Sequence, residues 1–266
     1  MRYSNIHTHT TFSDGIGSVR ENIESAIAKN MVSLGISDHS YTYCDTSYCI
    51  KKDAYGDYFK TVNALKKEYS EKIDVLLGLE LDYYSKINKE DFDYTIGSVH
   101  YIVKDGFCYP IDHSKMQQLN CIHDAFGGNG LDMVKAYFDL VVKNISENKP
   151  DCVGHFDVIS KFSVFDENNE DYQKICKAAL TETLKHCKYI EVNTGAIARK
   201  VKDIPYPAVF LLKEILKQGG EVVLSSDCHN PKNLTFDFDN TVELLKSVGF
   251  DHISYLTSKG YKTQNI

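Results

Sequence analysis

The sequence predicts an α/β protein, a distorted (β/α)7 barrel in which residues 1–266 form a single domain. Three observations lead to that expectation. Short apolar segments such as "VSLGIS", "DVLLGLEL" and "EVVLSS" alternate with segments of helical periodicity, the pattern of a parallel sheet covered by helices. Six of the ten histidines stand where a predicted strand ends: His7, His9, His39, His100, His155 and His229. A barrel brings all strand ends of one polarity around one pocket, whereas an open sheet spreads them along a line.

The elements follow in order. "RYSNIH" reads as the first strand and residues 18–30 as a helix, then "VSLGIS" as a strand. A helix is expected near 55–71, with Phe59, Val62, Leu65 and Tyr69 on one face. "DVLLGLEL" and "DYTIGSV" are strands, and residues 103–128, rich in Gly, Asp and Asn, read as a long irregular connection. Residues 131–147 carry Val134, Tyr137, Phe138, Val141 and Ile145 at helical core spacing. "DCVGHF", "YIEVNT" and "EVVLSS" are strands separated by helices at 170–186 and 207–218; a last helix near 239–248 precedes the strand "HISYLT".

Composition narrows the function. Hydrophobic residues make up 42% and charged residues 25%, ordinary values for a globular protein. The formal net charge is −7 and no basic run occurs, which argues against binding a nucleic-acid backbone. No apolar stretch is long enough to span a bilayer, so no membrane association is expected. "MRYSNIHTHT" lacks the apolar region of a signal peptide, and the eight cysteines lack CxxC spacing. The expectation is a cytoplasmic protein with reduced, mostly buried thiols and no disulfide framework. The cysteines also lack a Cys-x5-Arg loop, which argues against a thiolate nucleophile.

Carboxylates accompany the strand-end histidines: Asp14 in "TFSDG", Glu80 in "LLGLEL", and Asp38 and Asp227. Imidazole plus carboxylate is a ligand set for Zn²⁺, Mn²⁺ or Fe²⁺. His7 and His9 are two apart on a strand and point the same way, which places both on one metal. Asp227 and His229 repeat that spacing, Gly15 permits a tight turn after Asp14, and Glu80 has two oxygens with which to bridge two ions. A lone strand-end histidine is more often a hydrogen-bonded structural residue; the joint occurrence of nine candidate ligands changes the odds. Nine are too many for one ion and suggest two or three. Asp38 reads as a residue that orients a neighbouring ligand. His113, His123, His186 and His252 read as ordinary loop or surface residues, with His113 and His123 within possible reach of the site.

The motifs "HTHT", "SDH", "GLE", "GSVH", "GH" and "SDCH", in this order and at these separations, resemble the PHP (polymerase and histidinol phosphatase) superfamily over nearly the whole chain. "DFDYTIGSVHYI" before a long loop, "GHFDVISKF" and "EVNTGAIARK" look like its histidinol-phosphate phosphatase branch. The resemblance implies three divalent ions: one on His7, His9, Glu80 and Asp227; a second sharing Glu80 with His100 and His155; a third on Asp14, His39 and His229. It implies hydrolysis of a small-molecule phosphate monoester, L-histidinol phosphate, in histidine biosynthesis, by a metal-bridging hydroxide. Arg199 is the first candidate for gripping the phosphoryl group, because a guanidinium matches phosphate with a fork of donors. Lys161 stands where the family usually has Arg; it keeps the charge and loses the fork. Other phosphoesterase substrates within the superfamily (nucleotides, nucleic-acid ends, phosphotyrosine protein) remain alternatives, the nucleic-acid ends disfavoured by charge. A non-catalytic metal-stabilised module predicts missing ligands, and a metal-dependent amidohydrolase a strand-end Lys; neither is seen.

Overall fold

The first helix of the chain, α1 (Val19–Ala28), starts at a capping box. The Ser18 hydroxyl accepts the Glu21 N–H while the Glu21 carboxylate accepts the Ser18 N–H. The computed structural model describes every residue, Met1–Ile266. After α1 come β1 (Ser33–Ile36), α2 (Tyr55–Glu68), β2 (Asp74–Asp82) and β3 (Tyr94–Ser98). A hairpin of β4 (Tyr101–Lys104) and β5 (Phe107–Pro110) follows, then α3 (Lys115–Phe126), α4 (Gly130–Asn148) and β6 (Cys152–Val153). The second half holds α5 (Glu170–Leu184), β7 (Tyr189–Asn193), the single turn α6 (Gly195–Ala198), α7 (Val209–Lys217) and β8 (Glu221–Ser225). It ends with α8 (Phe238–Val248), β9 (His252–Thr257) and β10 (Gly260–Asn265).

Eight strands form one curled sheet in the order β1-β2-β3-β6-β7-β8-β9-β10. Every pairing from β1 to β9 is parallel, and only β10 runs antiparallel to its neighbour. The segment "RYSNIH" is not a full strand. It makes isolated parallel bridges, Asn5 to Leu34 and Thr8 to Cys228, and so links β1 to the chain leaving β8. Its ladder is short because side chains take over the pairing: Asn5 Nδ2 donates to Ser226 Oγ at 2.7 Å and to Leu234 O at 2.9 Å, and Asn5 Oδ1 accepts the His7 N–H.

Within the curl, alternate residues turn inward. Ile6, Leu76, Tyr94, Ile96, Cys152, Val223 and Leu256, from five strands and the N-terminal segment, form a buried apolar cluster. A methyl group at Gly35 or Gly78 would overlap the Tyr94 ring, so those glycines make room for the largest member. One to three residue pairs further along, the same inward rows become polar: Glu80 and Asp82 on β2, Glu191 on β7, Ser225 on β8. An apolar floor thus lies under a polar rim. Two larger clusters, of 33 and 18 buried residues, pack the helices against the outside of the sheet.

Two further expectations are corrected. Residues 103–128 are not irregular: they hold the second half of the β4–β5 hairpin, which turns at Asp105–Gly106 with both residues at positive φ, and α3, capped by Ser114 and closed by left-handed Gly127. The hairpin also carries Cys108 to the loop after β1, where it forms a disulfide with Cys44 across a Cα–Cα distance of 5.6 Å. The other six cysteines are free and buried, as expected. No helix is long and apolar enough to cross a membrane.

Candidate metal centre

All nine predicted ligands lie at the C-terminal rim of the sheet. His7 and His9 sit on the N-terminal segment, His39 just past β1, Glu80 within β2, His100 just past β3, His155 just past β6, and Asp227 and His229 past β8. Asp14 comes from the loop before α1. A Cβ at Gly15 would overlap the main chain of His9, so glycine is what lets this loop fold back far enough to bring Asp14 over the rim. Asp227 adopts a left-handed backbone, φ 45°, a conformation that Asp tolerates better than most residues.

Glu80 is the hub. Its Oε2 has His39 Nδ1 at 2.6 Å, His7 Nε2 at 3.3 Å and His9 Nε2 at 3.7 Å; its Oε1 has His155 Nε2 at 2.9 Å and His100 Nε2 at 3.3 Å. Asp227 Oδ1 lies 3.1 Å from His9 Nε2 and 3.8 Å from His7 Nε2. Asp14 faces His229 at 3.1 Å, His39 at 3.6 Å and His9 at 3.9 Å. Donor atoms of His9, Asp14, His39 and His229 all lie within 4.8 Å of one another, as do those of His7, His9 and Glu80, and of His39, Glu80 and His100. These groupings share residues with the three expected ligand sets without reproducing them one for one.

The donor atoms fit cations better than they fit each other. His7 Nε2, His9 Nδ1, Glu80 Oε2 and His155 Nδ1 are buried and have no hydrogen-bond partner, although Glu80 Oε2 touches three ring nitrogens. Buried polar atoms left unpaired cost free energy, and lone pairs aimed at common points are what a divalent ion needs. Burial, with His229 and His39 beside it, pushes His9 down to about 3, so its ring is neutral and free to ligate. Burial opposes ionisation of Glu80 and Asp227, but the surrounding histidines outweigh it at Glu80, and Arg199 and the histidines at Asp227; both carboxyls are held well below their usual range.

Three carboxylates hold the rim in place. Glu191, fully buried on β7, faces His7 Nδ1 at 2.5 Å and also accepts from the His155 N–H at 2.6 Å, Asn193 Nδ2 at 2.9 Å and Ser225 Oγ. Asp82 accepts from the His100 N–H and faces its Nδ1 at 3.2 Å. Asp38 accepts from Thr10 N–H, Thr10 Oγ1 and Ser13 Oγ, which fixes the loop carrying Asp14. Sequence reading picked out Asp38 and missed the other two. Their signal was present: an acidic residue at an inward position of an otherwise apolar strand.

The rim opens into a cleft of about 530 Å³. Arg199 and Lys161, the two cations expected to meet phosphate, both line it. Arg199 Nη2 donates to Asp227 Oδ2 at 2.9 Å, and Lys161 Nζ donates to the Asp112 carbonyl at 2.6 Å. Tyr48, Asp112, His113 and Val158 also line it, and the Tyr48 ring packs edge-on against His39 at 4.7 Å. His113 thus reaches the cleft, whereas His123 lies on an exposed face of α3. A larger, mostly apolar groove between α4 and α5 contains none of these residues.

Comparison with known proteins agrees with this architecture. The PHP domain family matches residues 5–195. A Deinococcus radiodurans protein named "Probable histidinol-phosphatase" is 27% identical over 254 residues, covering 91% of this chain and 92% of the relative. The "Histidinol-phosphatase" of Lactococcus lactis is 26% identical over 281 residues, covering 96% and 94%. The crystal structure of histidinol phosphate phosphatase from Lactococcus lactis, complexed with Zn, L-histidinol and phosphate, superposes with a TM-score of 0.70 at 20% identity, over 98% of this chain and 99% of that one. The rim of histidines and carboxylates on a curled parallel sheet therefore has a family, and this chain belongs to the PHP domain family.

Proposed function

We propose that the protein is a metal-dependent phosphomonoesterase that hydrolyses L-histidinol phosphate to L-histidinol and phosphate. The observation that carries the reading is the convergence of nine competent ligands at one rim, with Arg199 and Lys161 on the same cleft. The relatives named histidinol-phosphatase span nearly the full chain and supply the substrate.

Divalent cations would be held by His7, His9, Glu80 and Asp227, by Glu80, His100 and His155, and by Asp14, His39 and His229. When bound they supply Lewis acidity and a nucleophile at neutral pH. The chain's own residues do the positioning. Glu80 presents two oxygens to opposite halves of the centre. Glu191 and Asp82 take the far ring nitrogens of His7 and His100, so Nε2 of each faces the centre. Arg199, anchored on Asp227, offers its remaining N–H donors to phosphoryl oxygens, and Lys161 adds a point charge on the same cleft. These donors stabilise charge as it shifts onto the equatorial and leaving oxygens.

The test is steady-state phosphate release by metal-reconstituted protein from L-histidinol phosphate, with a nucleoside monophosphate beside it. A kcat/KM of about 10⁴ M⁻¹s⁻¹ or more for L-histidinol phosphate alone supports the reading. Strong nucleotide turnover with weak histidinol phosphate turnover rejects the substrate and keeps the chemistry.

A further inference from the structure

We infer that Asp112 is the residue that receives the α-ammonium group of the substrate and thereby selects the leaving alcohol; the inference rests on the function proposed above. Three carboxylates line the cleft. Asp14 and Asp227 are engaged with the histidines of the metal centre. Asp112 is not: its one ion-pair partner is Lys161, with Nζ 3.3 Å from Oδ2.

In L-histidinol phosphate the ammonium sits on the carbon next to the CH₂–O–P linkage, so it must enter the cleft close to the phosphoryl group. The cations that suit phosphate, Arg199 and Lys161, repel it. A cation drawn out of water needs an anion beside it. Asp112 is the one carboxylate of the cleft that is not engaged with the metal centre, and its only ion-pair partner is the lysine expected to meet phosphate. A phosphate and an ammonium two carbons apart can therefore touch neighbouring, opposite charges.

The position of Asp112 is well defined. The adjacent Ile111 donates its N–H to the carbonyl of His100 at 3.0 Å, which ties this stretch to a member of the metal centre. Gln118 on α3 holds the Ile111 carbonyl from the other side. The shorter bond of Lys161 is to the main-chain carbonyl of Asp112, at 2.6 Å, so the lysine stays placed whatever the Asp112 side chain does. Burial alone would raise the Asp112 carboxyl, but Lys161 and the nearby His100, His113 and His155 hold it at about 2, and it is charged at neutral pH. The hydroxyls of Tyr48 and Tyr101 are buried without partners, and both rings pack near His113. Of the two, Tyr48 lines the cleft and Tyr101 backs it.

The experiment compares two substrates on metal-reconstituted wild type, Asp112→Asn and Asp112→Glu. One is L-histidinol phosphate and the other 3-(imidazol-4-yl)propyl phosphate, which differs only in lacking the ammonium. The readout is the ratio of their kcat/KM values. Wild type should favour the ammonium substrate at least tenfold, Asp112→Asn should bring the ratio to within threefold of one, chiefly through KM, and Asp112→Glu should recover part of it. Calorimetric binding of L-histidinol, which needs no turnover, should weaken at least tenfold in Asp112→Asn. An unchanged ratio in Asp112→Asn, equal losses on both substrates, or a wild-type ratio near one overturns the assignment while leaving a histidinol phosphate phosphatase in place. Failure of wild type on both imidazole substrates, with turnover of p-nitrophenyl phosphate, overturns the proposed function and this inference with it.

Discussion

Replacing Glu191 by Gln preserves shape and removes one acceptor from the most heavily used buried carboxylate beneath the centre. Oε1 serves His7 Nδ1 and Ser225 Oγ; Oε2 serves the His155 N–H and Asn193 Nδ2. With its NH₂ toward Ser225, whose hydroxyl can turn to accept, the amide still faces the His7 N–H, so at least one bond to a charged acceptor is lost. The change therefore costs at least about 1.5–3 kcal/mol. With about 2–4 °C per kcal/mol for a chain of this size, the melting temperature should drop by at least about 3 °C. His7 and the His155 segment both lose their support, and metal affinity should fall about 10–100-fold. Urea denaturation of metal-free protein gives the first number and a competitive Zn²⁺ titration the second. Ser225→Ala, which removes one of the four donors, should cost only about 1 kcal/mol. A Glu191→Gln protein within about 0.5 kcal/mol of wild type, with unchanged Zn²⁺ affinity, would refute the idea that this carboxylate holds the rim together.

Four further outcomes are expected. Gly15→Ala pushes the Asp14 loop off the His9 main chain, and elemental analysis should find about one metal fewer per chain; full stoichiometry counts against the loop's role. Arg199→Ala should lower kcat/KM about 10–100-fold and weaken inhibition by inorganic phosphate by a similar factor, measured in the same steady-state assay. Asp157, buried and pushed up to about 6 chiefly by burial, favours folding in its protonated form. Its contribution is full below pH 3.8 and is lost as pH rises through 6, about 3 kcal/mol in all. The melting temperature of metal-free Asp157→Asn relative to wild type should therefore climb between pH 4 and pH 7, and a flat difference rejects the assignment. Cys44→Ser opens a 64-residue loop closure worth about 4 kcal/mol of chain entropy, and it should raise KM for histidinol phosphate while sparing kcat, because it unties the Tyr48 loop from the hairpin that leads to Asp112.

The candidate metal centre was legible because its candidate ligands obey local rules. His7 and His9 share a face by the two-residue period of extended chain, and each other candidate ligand except Asp14, which sits in the first loop beside a glycine, lies at or near the end of a recognisable apolar run. What escaped was set by distance and by polarity. Glu191 looks like one acid among many in "YIEVN" until the sheet register puts it under His7. The hairpin at 101–110 has an Asp-Gly turn, a usable signal, but its strands are four residues each and lie in a polar stretch that resembles loop. Misreading it hid Cys108, since two cysteines 64 residues apart announce nothing without the hairpin that brings them together. The last strand, "GYKTQN", is half exposed and polar, so it lacks the apolar alternation that marked the others.

The N-terminal segment that bridges β1 and the chain after β8 has a consequence for when the protein becomes active. His9 and Asp227 are 218 residues apart, so the centre joins the earliest ligands of the chain to the latest. At about 5–20 residues per second, a ribosome needs about 10–40 s to deliver the second half of the pair after the first. Until Glu191 is made His7 lacks the carboxylate that orients it, and until the chain passes β8 His9 has no Asp227 and the Asp14 loop no His229 to meet. The donor group of His9, Asp14, His39 and His229 is therefore completed only by the last part of the chain, whereas the groups around Glu80 draw on its first 100 residues. A truncation upstream of β8 should leave a chain that holds fewer ions than the full one.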